Sequence, residues 1–247
     1  MKKEMLYGPA VILAVWYAVQ LSHLINPLFL PPPHEVAKEL LGLLFTAGLW
    51  NDIAASAWRI AASFALACVI GVAIGLLMGY YRGINSAFEM LVDFSRSLPA
   101  LAIFPLMMLF LGIGDMAKIA TAAFSCSLII AIHSAYGVAH SKKTRQIVAT
   151  LMGATHSERF IRVTLPEALP QILVGMRITL SFAVSIIIVT EMFVSTNNGI
   201  GHRIFEAGLT YKTTEMYSMI IIAGMFGYLL NKAFMIAERR AVHWSGK

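Results

Sequence analysis

The chain has 247 residues, 58% hydrophobic and only 13% charged, with a mean hydropathy of +0.74. Several runs of about 14 to 21 residues carry no Asp, Glu, Lys or Arg, which excludes an ordinary soluble core and points to a membrane protein. The formal charge of +6 would suit a nucleic-acid binder, but the basic residues are scattered in short loops between apolar segments, so positive-inside bias explains them and no nucleic-acid partner is expected.

Six membrane spans are predicted, at Leu6–Leu24, Ala54–Tyr80, Ala87–Leu111, Ala117–Ala139, Ala168–Val194 and Met216–Ala237. Each is long enough to cross a hydrocarbon core of ~30 Å at ~1.5 Å per residue. The first apolar stretch is longer than the h-region of a secretory signal and no Ala-x-Ala-like site follows it, so a retained span is expected. Of the 19 basic residues, four face outward with the N-terminus inside (Lys38, Lys118, Arg203, Lys212) and three lie in spans (Arg59, Arg96, Arg177). That leaves 12, from Lys2 and Lys3 to Lys247, on the cytoplasmic side with both termini.

After the first span, Asn26-Pro27 and Pro31-Pro32-Pro33 make a stiff extended segment, because successive prolines fix φ and cannot continue a helix. His34–Leu44 follows as an amphipathic helix on the outer surface, read as a structural cap. In the second span Gly71, Gly75 and Gly79 recur at spacing four, leaving one face bare for the close approach of another helix.

The third span carries Glu89, Asp93 and Arg96 before Pro99 and Pro105. Asp93 and Arg96 are three apart and can pair on one face, while the prolines remove backbone bonds and are expected to kink or break the helix. Two readings stay open for this cluster: a polar lining of a cavity, or charges snorkelling at the cytoplasmic interface. His133, in the fourth span, reads as a hydrogen-bonded core residue. Cys68 and Cys126 lie in apolar runs without ligand-spaced neighbours and read as free core thiols.

The fifth span holds Arg177 and Glu191. Fourteen residues separate them, ~21 Å along a helix, so each needs a partner elsewhere, and either a structural salt bridge or a role in transport fits. Gly112-Ile113-Gly114 after the third span is echoed by Gly199-Ile200-Gly201 after the fifth, an echo too short to establish an internal repeat. The sixth span ends in AERRAVHW, a basic inner terminus with Trp244 suited to the interface.

Between the fourth and fifth spans lies a basic island, TRQIVATLMGATHSERFIRVTLPEALPQI, from Thr144 to Ile172. Thr144–Met152 is predicted as a short helix ended at Gly153. Thr155 and Glu158 have the spacing of a capping box that starts a second helix, Ser157–Thr164. Leu165-Pro166 is expected to close that helix, with the next span beginning near Pro170. Two short helices joined at a glycine and delivered onto a span have the form of a docking element for another protein.

The pattern Gly153, then Val163, Leu165 and Pro166 resembles the "EAA" loop of permease subunits in ATP-binding-cassette (ABC) importers, which is cytoplasmic and sets its glycine-centred turn into a cleft on the ATPase subunit. The family's Glu-Ala-Ala would fall on Ile147, Val148 and Ala149, so the glutamate is absent here. The resemblance implies an ATPase-coupling loop over about 140–167 with Ala149, Gly153, Ala154, Thr155, Glu158, Phe160, Leu165 and Pro166 as its contact residues. The runs LFLPPPHEV, SRSLPALAIFPLMMLFLGIGD and MRITLSFAVSIIIVTEMFVSTNNGIGHRI resemble permeases of the taurine, aliphatic-sulfonate and nitrate type, which implies that Arg96, Pro99, Pro105, Arg177 and Glu191 are candidates for the translocation pathway.

The resemblance further implies an all-α polytopic fold, a type I importer permease-like bundle of six transmembrane helices forming one domain over residues 1–247. It implies a homodimer in a bacterial-type cytoplasmic (inner) membrane, served by two ABC ATPase subunits and a periplasmic or extracellular solute-binding protein, with a small organic or inorganic anion as solute. The chain has no GxxxxGK[ST], no zinc-ligand pair and no nucleophile elbow, so no enzyme, metal or cofactor is expected in it, and ATP is expected on the partner. The rival is a self-sufficient secondary carrier or channel using Glu89, Asp93 and Glu191 as ion sites, which has no need of the cytoplasmic loop.

Overall fold

The computed structural model describes residues 7–22, 24–194 and 198–242, which are all-α: among them no strand occurs. Lys2, Lys3, Trp244 and Lys247 lie outside the described residues. The helices are α1 (Tyr7–Leu21), α2 (Pro33–Leu43), α3 (Ala47–Tyr80), α4 (Arg82–Ser97), α5 (Ala100–Leu111), α6 (Asp115–Ala139), α7 (Lys143–Leu151), α8 (His156–Arg159), α9 (Leu165–Phe193), α10 (Ile200–Leu209) and α11 (Thr213–Ala241). Among the described residues, four helical stretches are long and apolar enough to cross a membrane: α3, α6, α11 and the continuous run His156–Phe193. α1 is apolar but shorter.

The predicted third span is two helices rather than one, with α4 and α5 meeting at 99°. Leu98 is extended (φ −74°, ψ 131°), as the residue before a proline prefers, and Pro99 caps the start of α5. Pro105, by contrast, lies inside α5 without ending it. The helix closure expected at Leu165-Pro166 is also corrected, because the chain stays helical through both Pro166 and Pro170. A five-residue π-helical stretch, Phe160–Thr164, precedes Pro166, and the Leu165 N–H reaches back five residues to the Phe160 carbonyl. A proline ring collides with the carbonyl four residues before it in a regular α-turn. The wider turn relieves that collision, so the helix runs on.

The chain forms two compact units, Met1–Ser56 with Glu191–Phe226, and Ala57–Thr190 with Gly227–Lys247. In the first, the proline-rich segment and α2 are tied to their neighbours by polar bonds: the Trp16 indole donates to the Pro31 carbonyl (3.0 Å), the Tyr17 hydroxyl meets His34 Nδ1 (2.9 Å) and the Ser218 hydroxyl donates to the Val36 carbonyl (3.0 Å). These bonds hold the proline-rich segment and α2 against α1 and the start of α11.

In the second unit, α6 packs on the bare face of α3. A Cβ built on Gly75 would sit 2.3 Å from the Ala131 carbonyl oxygen, and one on Gly71 2.5 Å from that of Ser127, so only glycine allows this approach. α9 packs on α6 in the same way, with Gly175 against His133, and Val138, Ala168 and Ile172 close a small core there. His133 is half-buried, and its ring is bonded to the Gln171 side chain (3.0 Å). Cys68 and Cys126 are free thiols.

Candidate functional site

The loop between α6 and α9 is built as a rigid hairpin. Lys142 N–H and the Arg145 guanidinium both donate to the Glu167 carboxylate at 2.7 Å, clamping the two ends together. α7 then ends in a Schellman motif: Gly153 has φ +82°, its N–H donates to the Thr150 carbonyl and the Ala154 N–H to that of Ala149, each at 3.0 Å. No atom lies within 4 Å of a Cβ placed on Gly153, so the glycine is required by backbone conformation and not by space.

The capping box is formed as its spacing predicts. The Thr155 N–H donates to Glu158 Oε2 (2.9 Å) and the Glu158 N–H to Thr155 Oγ1 (3.3 Å). The Thr155 hydroxyl also donates to Glu158 Oε2 (2.9 Å), and the bonds from the Thr155 N–H first and its hydroxyl second hold the Glu158 carboxyl below the usual carboxylate range. Arg159 crosses the turn to donate to Thr150 Oγ1 (2.9 Å), locking α8 onto α7.

The eight predicted coupling residues divide into two groups. Ala149, Gly153, Ala154, Thr155 and Glu158 gather at the tip of the turn. Phe160, Leu165 and Pro166 form its root: the Phe160 ring packs edge-on against Tyr80 at 5.0 Å, and Leu165 packs on the Val138–Ala168–Ile172 core. What the motif did not single out is the apolar surface of the loop. Ile147, Val148, Leu151, Met152 and Ile161 are all exposed, Leu151 and Met152 at 82% each. The signal lay in the run IVATLM, whose apolar residues exceed what a solvated helix of nine residues needs.

The pathway candidates are dispersed. Arg96 pairs with Asp93 (3.1 Å) on the exposed face of α4, next to the break at Pro99. Pro105 is within α5, and Arg177 on α9 pairs with Glu238 on α11 (3.3 Å). Glu191 is completely buried. Its carboxylate lies 2.9 Å from the Ser56 hydroxyl through both oxygens and accepts the Gly201 N–H at 3.0 Å.

Ser56 in turn accepts the Ile200 N–H (2.9 Å), and Asp52 accepts that of Gly199 (2.9 Å). The first N–H groups of α10 are thus satisfied by side chains of α3 and α9, and the carboxylates complement the helix dipole. Arg203 completes the arrangement by pairing with Asp52 (3.3 Å) and Glu215 (2.8 Å).

Two cations are buried on one carboxylate that the sequence reading did not single out: Arg59, expected in a span, and Lys118. Arg59 pairs with Asp115 at 2.8 Å, and Lys118, expected in an outer loop, is fully buried one turn into α6, 3.9 Å from the same carboxylate. Asp115 and Lys118 at i, i+3 were the available sign. Among the described residues, no group of three or more His, Cys, Asp or Glu gathers as a metal site.

Residues 71–242 match the family described as "Binding-protein-dependent transport system inner membrane component". The "Taurine transport system permease protein TauC" of Escherichia coli is 32% identical over 96% of this chain and 88% of its own length. A "Putative aliphatic sulfonates transport permease protein SsuC" of the same organism is 30% identical over 96% and 90%. Among solved structures, an inward-facing MetNI methionine ABC transporter chain superimposes with a TM-score of 0.64 at 22% identity, over 84% of this chain and 97% of that one.

Proposed function

The chain belongs to the inner membrane components of binding-protein-dependent transport systems, the permease subunits of ABC importers, and from that premise we propose that its loop from Thr144 to Pro166 is the coupling element for a separate ATPase. It is a transport subunit and not an enzyme. In this reading two copies of the chain enclose the pathway for a small anion, of the sulfonate or taurine class that its relatives' names carry. An external solute-binding protein delivers the solute, two ATPase subunits bind the ATP, and both termini of the permease are cytoplasmic. Closure of the ATPases pulls on the loop of each copy and drives alternating access.

The observation that carries this reading is the exposed apolar surface of a loop that is otherwise ordered. Leu151 and Met152 stand at 82% exposure on a hairpin fixed by a Glu167 clamp, a Schellman turn and a capping box. Rigid apolar surface outside the spans marks a protein contact. Leu151→Asp with Met152→Asp is expected to abolish co-purification of the ATPase while leaving membrane expression intact. Uptake by the purified permease alone in liposomes, driven by an ion gradient, overturns the reading in favour of a secondary carrier.

A further inference from the structure

A cleft of about 810 Å³ opens at the root of the coupling loop, lined by the end of α3, by α4, by the end of α6 and by the start of α7. Two cations and two carboxylates line it, and one of the carboxylates is paired with Arg96, which lies outside the lining. Arg82 and Lys143 line it, and neither makes an ion pair or side-chain hydrogen bond among the described residues. Of the acids in the wall, Asp93 is already paired with Arg96 at 3.1 Å, and Glu89 accepts only a long bond from the Asn85 amide at 3.3 Å. Two free cations against one carboxylate without a cationic partner leave one positive charge in excess.

The rest of the wall is suited to a phosphate-bearing group at a membrane surface. Tyr80 ends α3 and Tyr136 lies in the last turn of α6, so the cleft sits where two spans reach the interface, the level at which aromatic side chains collect. The His140 ring stacks on Tyr136 with centroids 3.8 Å apart, and its Nδ1 bonds the Tyr136 carbonyl at 3.0 Å. A carbonyl only accepts, so Nδ1 carries the proton and Nε2 is left for another partner. We propose that this cleft binds a phosphate-bearing anion, held between Arg82 at the start of α4 and Lys143 at the start of α7. The proposal rests on the coupling loop being cytoplasmic, since that places the cleft against the leaflet whose lipids are anionic.

Such an anion bridges the helix that leads to the Pro99 break and the helix that begins the coupling loop. Its occupancy therefore sets how firmly the loop root is held to α4. The source is either an anionic phospholipid headgroup or a soluble phosphate, and the two are separable by experiment.

The test is a binding titration of the full-length permease in neutral detergent, with phosphatidylglycerol and phosphatidylcholine as probes, read by native mass spectrometry. Phosphatidylglycerol is expected to bind more tightly. Arg82→Gln and Lys143→Gln are each expected to weaken it about fivefold, and together about 30-fold. Lys232→Gln, on α11 outside the cleft, is expected to change nothing. Inorganic phosphate that displaces phosphatidylglycerol in an Arg82-dependent way supports the site with a soluble ion as occupant, and failure to displace supports the lipid.

Equal binding of the two lipids, or equal phosphatidylglycerol binding by the double variant, overturns the proposal. Should the double variant not fold, the single variants and the lipid contrast on the unmodified chain decide. The titration uses no ATPase, so a permease that lacks the lipid preference but still retains the ATPase sinks this proposal alone. Loss of ATPase co-purification bears only on the reading of the loop.

Discussion

The helices α8 and α10 both begin on capped N-termini, and they draw their caps from opposite sources. At α8 the acceptors are Thr155 and Glu158, three residues apart. At α10 they are Asp52, Ser56 and Glu191, lying 147, 144 and 10 residues from the N–H groups they satisfy. The local cap stands at the surface and depends on nothing beyond its own turn. The distant cap is in the interior, so α10 starts only where three elements have already met. A surface built on local caps can face a partner without disturbing the fold, whereas a buried cap makes a helix part of the fold.

The contrast is broken most directly at Glu191. Glu191→Ala leaves the Gly201 N–H and the Ser56 hydroxyl without their acceptor in the interior, at roughly 1–3 kcal/mol for each. We expect a fall in stability of about 2–6 kcal/mol, read as an earlier thermal unfolding in detergent, with α10 becoming open to protease first. Unchanged thermal unfolding would mean that the distant cap contributes no more than the local one. Such a result returns Glu191 to the list of transport residues alone.

Gly153 sharpens the contrast from the other side. A β-branched residue forced to φ near +82° costs roughly 1–3 kcal/mol, and the damage is confined to a hairpin that buries little. Gly153→Val is therefore expected to leave expression and thermal unfolding nearly unchanged and to lose ATPase co-purification and solute-stimulated ATP hydrolysis. Gly42→Val serves as the control: Gly42 has ordinary φ and nothing within 4 Å of an added Cβ. If Gly42→Val loses the ATPase and Gly153→Val keeps it, the cytoplasmic face has been assigned to the wrong side.

The same division explains what the sequence disclosed. Thr155 and Glu158, Gly153, and the glycines at 71, 75 and 79 carry their signal in fixed short spacings, and each could be read from a single stretch of chain. Glu191 was recognised as a carboxylate in need of a partner, and Gly199-Ile200-Gly201 as a motif. Nothing in either stretch pointed to Ser56, because a hydroxyl that relays a hydrogen bond leaves no periodic trace.

Pro99 and Pro105 look alike in sequence, yet only the first follows a polar helix that can end at an extended Leu98. The count of basic residues places Lys118 on the outer side, whereas it is fully buried. Its burial depends on Asp115, which also holds Arg59.

The smallest expected effect concerns acid. Glu158 is held below the usual carboxylate range, first by the Thr155 N–H and then by the Thr155 hydroxyl. A carboxyl whose pKa is lowered in the folded state adds stability above its ordinary pKa and loses it as pH falls through the lowered value. The cap on α8 should therefore persist at neutral pH and open only in acid, below the ordinary range near ~4.3. Amide exchange at Glu158 and Arg159 reports this opening, while the spans stay protected.

Thr155→Ala removes the hydroxyl but keeps the backbone N–H, which is the larger cause. The acid transition is then expected to move upward without reaching the ordinary value, and the Glu158 amide, now without an acceptor, to exchange faster at every pH. An acid transition unmoved by Thr155→Ala would show that the hydroxyl does not hold the carboxylate. One that also opens α10 would show that the two caps are not independent, and the distinction between a surface cap and a core cap would then fail.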